Sequence, residues 1–575
     1  MIINSISQLI SNDKSSIFWL YSDIINLQKE YEHMNLLSKN APVEQSIAKM
    51  KDVLSDSGCE ITFSTQKHPL NHCYSVNLAS VEAPKHIYSN GKGICPEASM
   101  ASALGEYIER LQTNNFYSDF YLPGRNHYPD EIAFEFGGSY LNDTLLSIYD
   151  PHNELEYEDL IDYNSDYQDK IVALPFVNYT TKQKVYIPVN ILNNLYVSNG
   201  LASGNTPSEA KVQAMSEIVE RHAKIEIIKN GYALPVYPNE ILRTYDKLYE
   251  DINSLKNKGF AIEVLDASLG GKFPVTAISL INPKNGTLFV SFGSHPILQV
   301  SLERTMTELM QGRDIDNFDN LEIPTFDMSI VSSSFNLESH FIDSNGKIGL
   351  GFLSSKKSFK YSSWEYNGTN TEDELKYLMS IFDKVKKEVY IREYDYLGFY
   401  SCQIIVPSFS EIYPIEDLVY NNKNTGKQIR DLILNFTEYA PKEILEYIES
   451  LDESLDIENY IGVIFQNNFT MAQFKAQIYL LLGDKESAFA LLDIEANNAM
   501  AVIKELLMLE EQELSFDEHK DGLFAIFGKK NILHALDVIK GDSYLIDTAF
   551  HQDYINILDM YDRLSVKKSL QLQAK

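Results

Sequence analysis

The chain has 575 residues, with 49 Lys or Arg against 81 Asp or Glu, a net charge of −32. So acidic a protein is a poor partner for nucleic acid or anionic membrane, because sequence-independent binding to either needs a basic face. A hydrophobic fraction of 44% is that of a globular protein with a true core, and the length allows roughly four domain-equivalents.

The first stretch, MIINSISQLISNDKSS, has no basic n-region and no sustained apolar core, so no secretory signal is expected. No later run approaches the apolar length of a membrane span. Residues 1–38 read as a polar, partly helical extension, whose FWLYSDIINLQKEYEHMNLL is aromatic and apolar enough to dock. The four cysteines, Cys59, Cys73, Cys95 and Cys402, form no C-x-x-C pair. Neither a zinc knuckle nor a redox motif is supported. Buried thiols in a reducing compartment are expected, hence a cytoplasmic protein.

Residues 39–435 mix strand and helix signals and predict an α+β domain of mixed sheets and helices. IVALPFVNYTTKQKVYIPV reads as strand, turn and strand, with Tyr179–Gln183 at the turn. FPVTAISLINPKNGTLFVSFG carries Asn285-Gly286 between two β-rich runs, a strong hairpin signal. EVYIREYDYLGFYSCQIIVP holds two more strand-like runs. From 436 to 575 strand signals fade and an α-helical C-terminal domain is expected. There MAQFKAQIYLLLGDKESAFALLDIEA reads as helix, break at Gly483-Asp484, helix, one hairpin of a TPR-like helical repeat. No second copy follows at a fixed period, so the pattern fits a solenoid and a compact bundle equally.

Within the α+β domain one pattern occurs twice. SALGEYIER (Ser102–Arg110) and QAMSEIVER (Gln213–Arg221) share polar-x-x-x-Glu-x-x-Glu-Arg. At about 100° per residue, Ser102, Glu106, Glu109 and Arg110 fall within about a 100° arc of a helix. Gln213, Glu217, Glu220 and Arg221 do the same, and Ala101, Leu104, Ile108 and Leu111 lie opposite the first stripe. A third helix, RTMTELMQ, repeats the spacing with Arg304, Glu308 and Gln311. Each helix follows a glycine-containing loop running toward the helix start: Ser89–Gly93, Ser198–Pro207 and Phe292–Pro296. Glycine permits tight turns and close approach to a ligand, and helix starts present N–H groups to anions.

A single acidic stripe is ordinary solvated surface; three with one spacing argue for a shared site. Together they would gather Glu106, Glu109, Glu217, Glu220 and Glu308, with Glu209 one turn up, against Arg110, Arg221 and Arg304. Two carboxylates 4 Å apart repel by about 4 kcal/mol at an effective dielectric near 20. Such a cluster calls for bound cations or raised carboxyl pKa values. Mg2+ joins a few carboxylates to substrate phosphates, and arginines pair with phosphate oxygens. The combination points to a metal–nucleotide site. It is not a P-loop, since no G-x-x-x-x-G-K-[ST] occurs, nor a dinucleotide fingerprint, nor an H-E-x-x-H zinc site.

At SNGKG…ASALGEYIERL, SNGLASGNTPSEA…QAMSEIVERHA and LERTMTELMQGRD, in that order, the chain resembles the YcaO family. With SEIYPIEDL (Ser410–Leu418) and the helical C-terminal region it is similar to the family's stand-alone bacterial branch. The resemblance implies a YcaO-like core binding ATP and Mg2+, with phosphorylation of a backbone amide oxygen in several relatives. For that branch it implies support of β-methylthiolation of a small-subunit ribosomal protein beside a radical methylthiotransferase, and a homodimer. Carried over residue by residue, it implies Glu106, Glu109, Glu217 and Glu220 as Mg2+ ligands. Lys39, Ser46, Asn205, Glu209, Arg221, Arg304, Glu308 and Gln311 are implied as nucleotide contacts. Ala202 stands where relatives can carry a serine, which removes a hydroxyl. The end, SLQLQAK, lacks the P-x-P-x-P of azoline-forming relatives, so heterocycle formation on a leader-bearing peptide is not expected. Two other readings stay beside the enzyme: a nucleotide-gated adaptor with little turnover that recruits a partner through the C-terminal helices, and a structural protein with solvated stripes.

Overall fold

The computed structural model describes residues 35–85, 87–167, 169–315, 321–342, 344–492 and 498–574. The aromatic stretch expected to dock falls within residues 1–34 and its neighbours, outside the described residues except at its end. The described residues open with helix α1 (Val43–Asp56) and strands β1 (Ile61–Phe63), β2 (Lys67–Leu70), β3 (Cys73–Ser80) and β4 (Tyr88–Gly93), a small antiparallel sheet. Helix α2 (Pro96–Gln112) follows. Next come β5 (Ile132–Phe134), β6 (Ile171–Asn178), β7 (Lys184–Pro188), β8 (Leu201–Gly204) and helix α3 (Pro207–Asn230). A second antiparallel sheet holds β9 (Ala261–Asp266), β10 (Val275–Asn282) and β11 (Thr287–Ser294), ahead of helix α4 (Leu298–Met310). Helices α5 (Ser334–Ile342) and α6 (Thr371–Lys384) lead to β12 (Tyr390–Tyr394) and β13 (Tyr400–Ile405). These two strands complete a six-stranded sheet in the order β5-β6-β12-β13-β8, with β7 on β6. Both hairpins read from the sequence are present, the two further strand-like runs pair as β12 and β13, and Gly286 takes φ +73° at its turn, a region open to glycine.

Three edge strands pass the chain to the three striped helices. β4 pairs only with β3, β8 ends the six-stranded sheet, and β11 ends the three-stranded one. Each leads into its helix after two or three residues, and proline occupies the first helical position of α2 and α3. The stretches expected to be glycine loops approaching a ligand are therefore mostly strand. Their glycines serve the packing of each strand on its own helix. A Cβ on Gly93 would lie 2.6 Å from Ala98 Cβ, one on Gly204 2.7 Å from Ala210 N, and one on Gly293 2.4 Å from Thr305 Oγ1. Gly293→Ala is expected to force β11 off α4 and cost about 1–3 kcal/mol, as over-packing does. Urea denaturation checks this; an unchanged midpoint would mean the strand and helix part at no cost.

After Ile405 the described residues form helices. Helix α7 (Met471–Leu482) ends at Gly483, φ +76°, and Asp484 caps helix α8 (Lys485–Leu491) by accepting from the Ser487 N–H. The expected hairpin is thus present. With helices α9 (Asn498–Glu511) and α10 (Lys529–Lys540) it shares one apolar cluster, including Ala476, Ala488, Ile503 and Ile532. The final helix, α11 (Gln552–Ala574), packs back on α1 and α2. Its Ile557, Met560, Tyr561 and Leu564 are buried with Met50 and Leu54 of α1 and Tyr107 and Leu111 of α2. Buried Lys568 donates to the Leu111 carbonyl at 2.7 Å and also bonds Asn114. No helix among the described residues is long and apolar enough to cross a membrane.

Candidate functional site

A cavity of about 750 Å³ opens where α2, α3 and α4 face one another. Every residue implied as a metal ligand or nucleotide contact lines it: Lys39 and Ser46; Glu106 and Glu109; Asn205, Glu209, Glu217, Glu220 and Arg221; Arg304, Glu308 and Gln311. The reason is local. On α2, Leu104, Ile108 and Leu111 are fully buried on the far side and hold the stripe toward the cavity. Ala101, expected on that apolar side, instead borders the cavity. Gln311 also departs from expectation: α4 ends at Met310, and Gln311 is the first residue past it.

The stripes are ion-paired, within each helix and between helices. Arg110 meets Glu109 at 3.2 Å and Glu106 at 3.5 Å, Arg221 meets Glu217 at 2.8 Å, and Arg304 meets Glu220 at 3.8 Å. Glu220 also accepts the Ser294 N–H at 3.1 Å, which ties α3 to the end of β11. Lys92 of β4 pairs with Glu308 of α4. Counted around the wall, seven glutamates face seven Lys or Arg side chains. This corrects the three-arginine tally from the sequence: Lys39, Lys92, Lys224 and Lys247 balance the charge without a bound metal. Burial still marks individual groups. It pushes the Glu109 carboxyl up to about 8, against the opposing pull of Arg110. It draws the Lys92 ammonium down to about 8, with Glu220 acting the other way, and Lys224 likewise to about 8.

One buried donor in this wall, Arg304 Nε, has no hydrogen-bond or ion-pair partner among the described residues, while Arg110 Nη1 makes no hydrogen bond and has only its ion pair with Glu109 at 3.2 Å. A buried unsatisfied guanidinium N–H costs on the order of 1–3 kcal/mol or more, so an anion in the cavity would recover that energy. No three His, Cys, Asp or Glu groups among the described residues stand close enough to hold a metal by themselves. Carboxylates spread over facing helices suit Mg2+, which takes one or two carboxylates and fills its other positions with water and phosphate.

At the other end Glu209 is saturated. It accepts from the Asn40 N–H at 3.0 Å and from Asn205 Nδ2 at 3.1 Å, and pairs with Lys39 at 3.3 Å. Ser46 Oγ donates to Asn205 Oδ1 at 3.0 Å. Ser38 Oγ–H donates to the buried Glu374 of α6 at 2.5 Å and lies 2.9 Å from His295 Nε2. This network fastens the segment before α1 along one wall of the cavity. Ala202, marked as a lost hydroxyl, is buried in the core beneath the sheet, while its neighbour Ser203 lines the cavity and donates to the Gly105 carbonyl at 2.8 Å.

Sequence reasoning passed over Lys92, Lys224, His340 and Phe341, which also line the wall. Lys92 could have been found. It sits inside a quoted motif, and strand alternation puts it with Asn90 on the face opposite Gly91. Lys224 lies one turn beyond Glu220 on the same stripe. His340 and Phe341 come from α5, more than a hundred residues from the second stripe, and no spacing links them. The Phe341 ring receives Arg221 at 5.7 Å and Lys224 at 5.5 Å.

Three strand–helix units lining one charge-balanced cavity with a spare guanidinium donor define a protein built to hold a polyanion between facing helices. The family described as YcaO cyclodehydratase, ATP- and Mg2+-binding, matches residues 90–410. The chain is 40% identical over 512 residues to the ribosomal protein S12 methylthiotransferase accessory factor YcaO of Escherichia coli, covering 83% of this chain and 87% of that one. It is also 40% identical over 483 residues to an uncharacterized protein of Haemophilus influenzae, covering 80% of this chain and 82% of that one. Among solved structures, YcaO from Methanopyrus kandleri bound with AMPPCP and Mg2+ aligns at a TM-score of 0.41 and 14% identity, over 65% of this chain and 93% of that one. The chain belongs to the YcaO family.

Proposed function

We propose that the cavity binds Mg2+ and ATP and that the protein uses them to activate an amide or acyl oxygen of a protein acceptor, in support of β-methylthiolation of a small-subunit ribosomal protein. The observation that carries this reading is the meeting of three stripes in one cavity that keeps an unpartnered guanidinium donor, Arg304 Nε. When bound, ATP supplies a phosphoryl group that turns an amide oxygen into a leaving group, and Mg2+ supplies charge neutralisation. The chain's own part is positioning and electrostatics. Glu106, Glu109, Glu217 and Glu220 would hold the metal. Arg304, Arg221 and Arg110 would exchange carboxylate partners for phosphate oxygens. Lys39, Ser46, Asn205, Glu209, Glu308 and Gln311 would hold the remainder of the nucleotide. The S12 acceptor and a methylthiotransferase partner are drawn from the name of the Escherichia coli relative.

The same name, an accessory factor, favours a second reading: a nucleotide-gated adaptor with little turnover of its own. Phosphate release measured alone, with S12, and with the methylthiotransferase separates the two. Turnover stimulated by S12 supports the enzyme, and nucleotide binding with no stimulated release supports the adaptor. Both require binding. At about 100 times Kd, linkage adds about 2.7 kcal/mol to stability, so millimolar Mg2+·ATP is expected to raise the melting temperature by several degrees. No shift, with no heat of binding in calorimetry, would end both readings.

A further inference from the structure

Helix α5 stands at the rim of the cavity with two different faces. Asn336 and His340 are buried on one, and His340 and Phe341 border the cavity. The Lys224 Nζ donates to the His340 carbonyl at 2.6 Å, which fixes α5 against α3. On the outward face Phe335 and Ile342 are 81% and 72% exposed. Seven residues apart, they lie on one side of the helix, two turns from each other. The chain entering α5 adds Phe326, 78% exposed, and Ile330, 45% exposed. Scattered exposed apolar residues are normal, but a run of large ones on the rim of a functional cavity marks a contact surface. The outward side carries acidic groups, whereas Lys224 and Arg221 meet α5 on its cavity side. Asp327 is exposed beside Phe326, and Glu338 lies on α5 between Phe335 and Ile342, with Asp417 close enough to raise its carboxyl further above the ordinary range after burial has done so.

We propose that this outward face of α5, with Phe326 and Ile330, docks the acceptor polypeptide, a basic chain with apolar anchors, and delivers it to the cavity mouth at Phe341. The assignment rests on the acceptor reading above. Charge complementarity selects the occupant: a ribosomal protein is basic because it binds RNA phosphates, whereas this chain carries a net −32 and an acidic rim at the patch. A large apolar side chain buried at the centre of an interface, ringed by polar groups, is the usual source of affinity.

The test uses the full chain and purified Escherichia coli ribosomal protein S12, with the double variant Phe335→Ser/Ile342→Ser and the single variant Glu338→Lys. None of these residues belongs to the nucleotide site, so Mg2+·ATP affinity and unstimulated phosphate release are expected to stay within twofold. Affinity for S12 is expected to fall at least tenfold in the double variant, and stimulation of phosphate release with it. Glu338→Lys is expected to weaken S12 binding more at low salt than at high salt. Unchanged S12 affinity in the double variant overturns the docking site and leaves the acceptor reading standing. Failure of the unmodified protein to bind S12 overturns the acceptor reading and the docking site with it. A changed oligomeric state by sedimentation, with S12 affinity intact, makes the face a contact between copies and overturns the proposal. Tighter S12 binding in the double variant means the chain's own N-terminal segment covers the face, which also overturns it.

Discussion

Glu106→Gln and Glu220→Gln are each expected to lower Mg2+-dependent phosphate release on the order of a hundredfold or more. A metal ligand stabilises transition-state charge by several kcal/mol, and each 1.36 kcal/mol is tenfold in rate. Gln keeps the size and the helix propensity but removes the charge. The charge balance of the cavity sets the accompanying effect on the ligand-free protein. A wall of uncompensated carboxylates would relax when one was neutralised. Here both of these glutamates have a basic partner, Arg110 at 3.5 Å from Glu106 and Arg304 at 3.8 Å from Glu220. Neutralisation is therefore expected to cost up to about 1 kcal/mol, the range of part-exposed ion pairs. Arg304 keeps its bond to Gln213 in the Glu220 variant, which limits the loss. The measurement pairs thermal melts without ligand with steady-state phosphate release. Full turnover in both variants would remove these glutamates from the metal site, and a rise in ligand-free stability would contradict the paired wall.

Removal of residues 552–574 is expected to unfold the first sheet and abolish nucleotide binding, although the deleted helix contributes no residue to the cavity wall. Ile557, Met560, Tyr561 and Leu564 are each buried to within 2% against α1 and α2. Full burial of a large apolar side chain contributes about 1.5–3 kcal/mol, so four of them approach the whole stability of a typical domain, about 5–15 kcal/mol. Lys568 would also leave Asn114 and the Leu111 carbonyl without their donor. A change in sequence texture near 436 suggests a core that ends there. The packing instead makes the last helix part of the floor under the Glu106 stripe. Circular dichroism and Mg2+·ATP calorimetry on the shortened chain check this. A shortened protein that melts cooperatively and still binds nucleotide would show that α11 is dispensable.

The three stripes were legible because helical periodicity is a local property: Glu106, Glu109 and Arg110 share an arc whatever surrounds them. The hairpins were legible for the same reason, through alternation and the Asn285-Gly286 turn. The glycine stretches were misread as loops because glycine in sequence does not tell whether its missing Cβ makes room for a ligand or for a helix; Gly93, Gly204 and Gly293 make room for α2, α3 and α4. Lys92 and Lys224 were hidden by attention to the acidic pattern around them.

By itself, then, the order of residues determined which side chains share a helix face, where strands turn, and that Glu, Arg and Gly recur at one spacing with the motifs of one family. Only the tertiary structure decided which faces meet. It set four lysines among the acids, brought Phe341 from a distant helix to Arg221, and returned the last helix to the first sheet. Contacts between residues far apart in the chain depend on how whole elements bury their apolar faces, and that is a property of the packed ensemble of elements, with no fixed spacing to betray it.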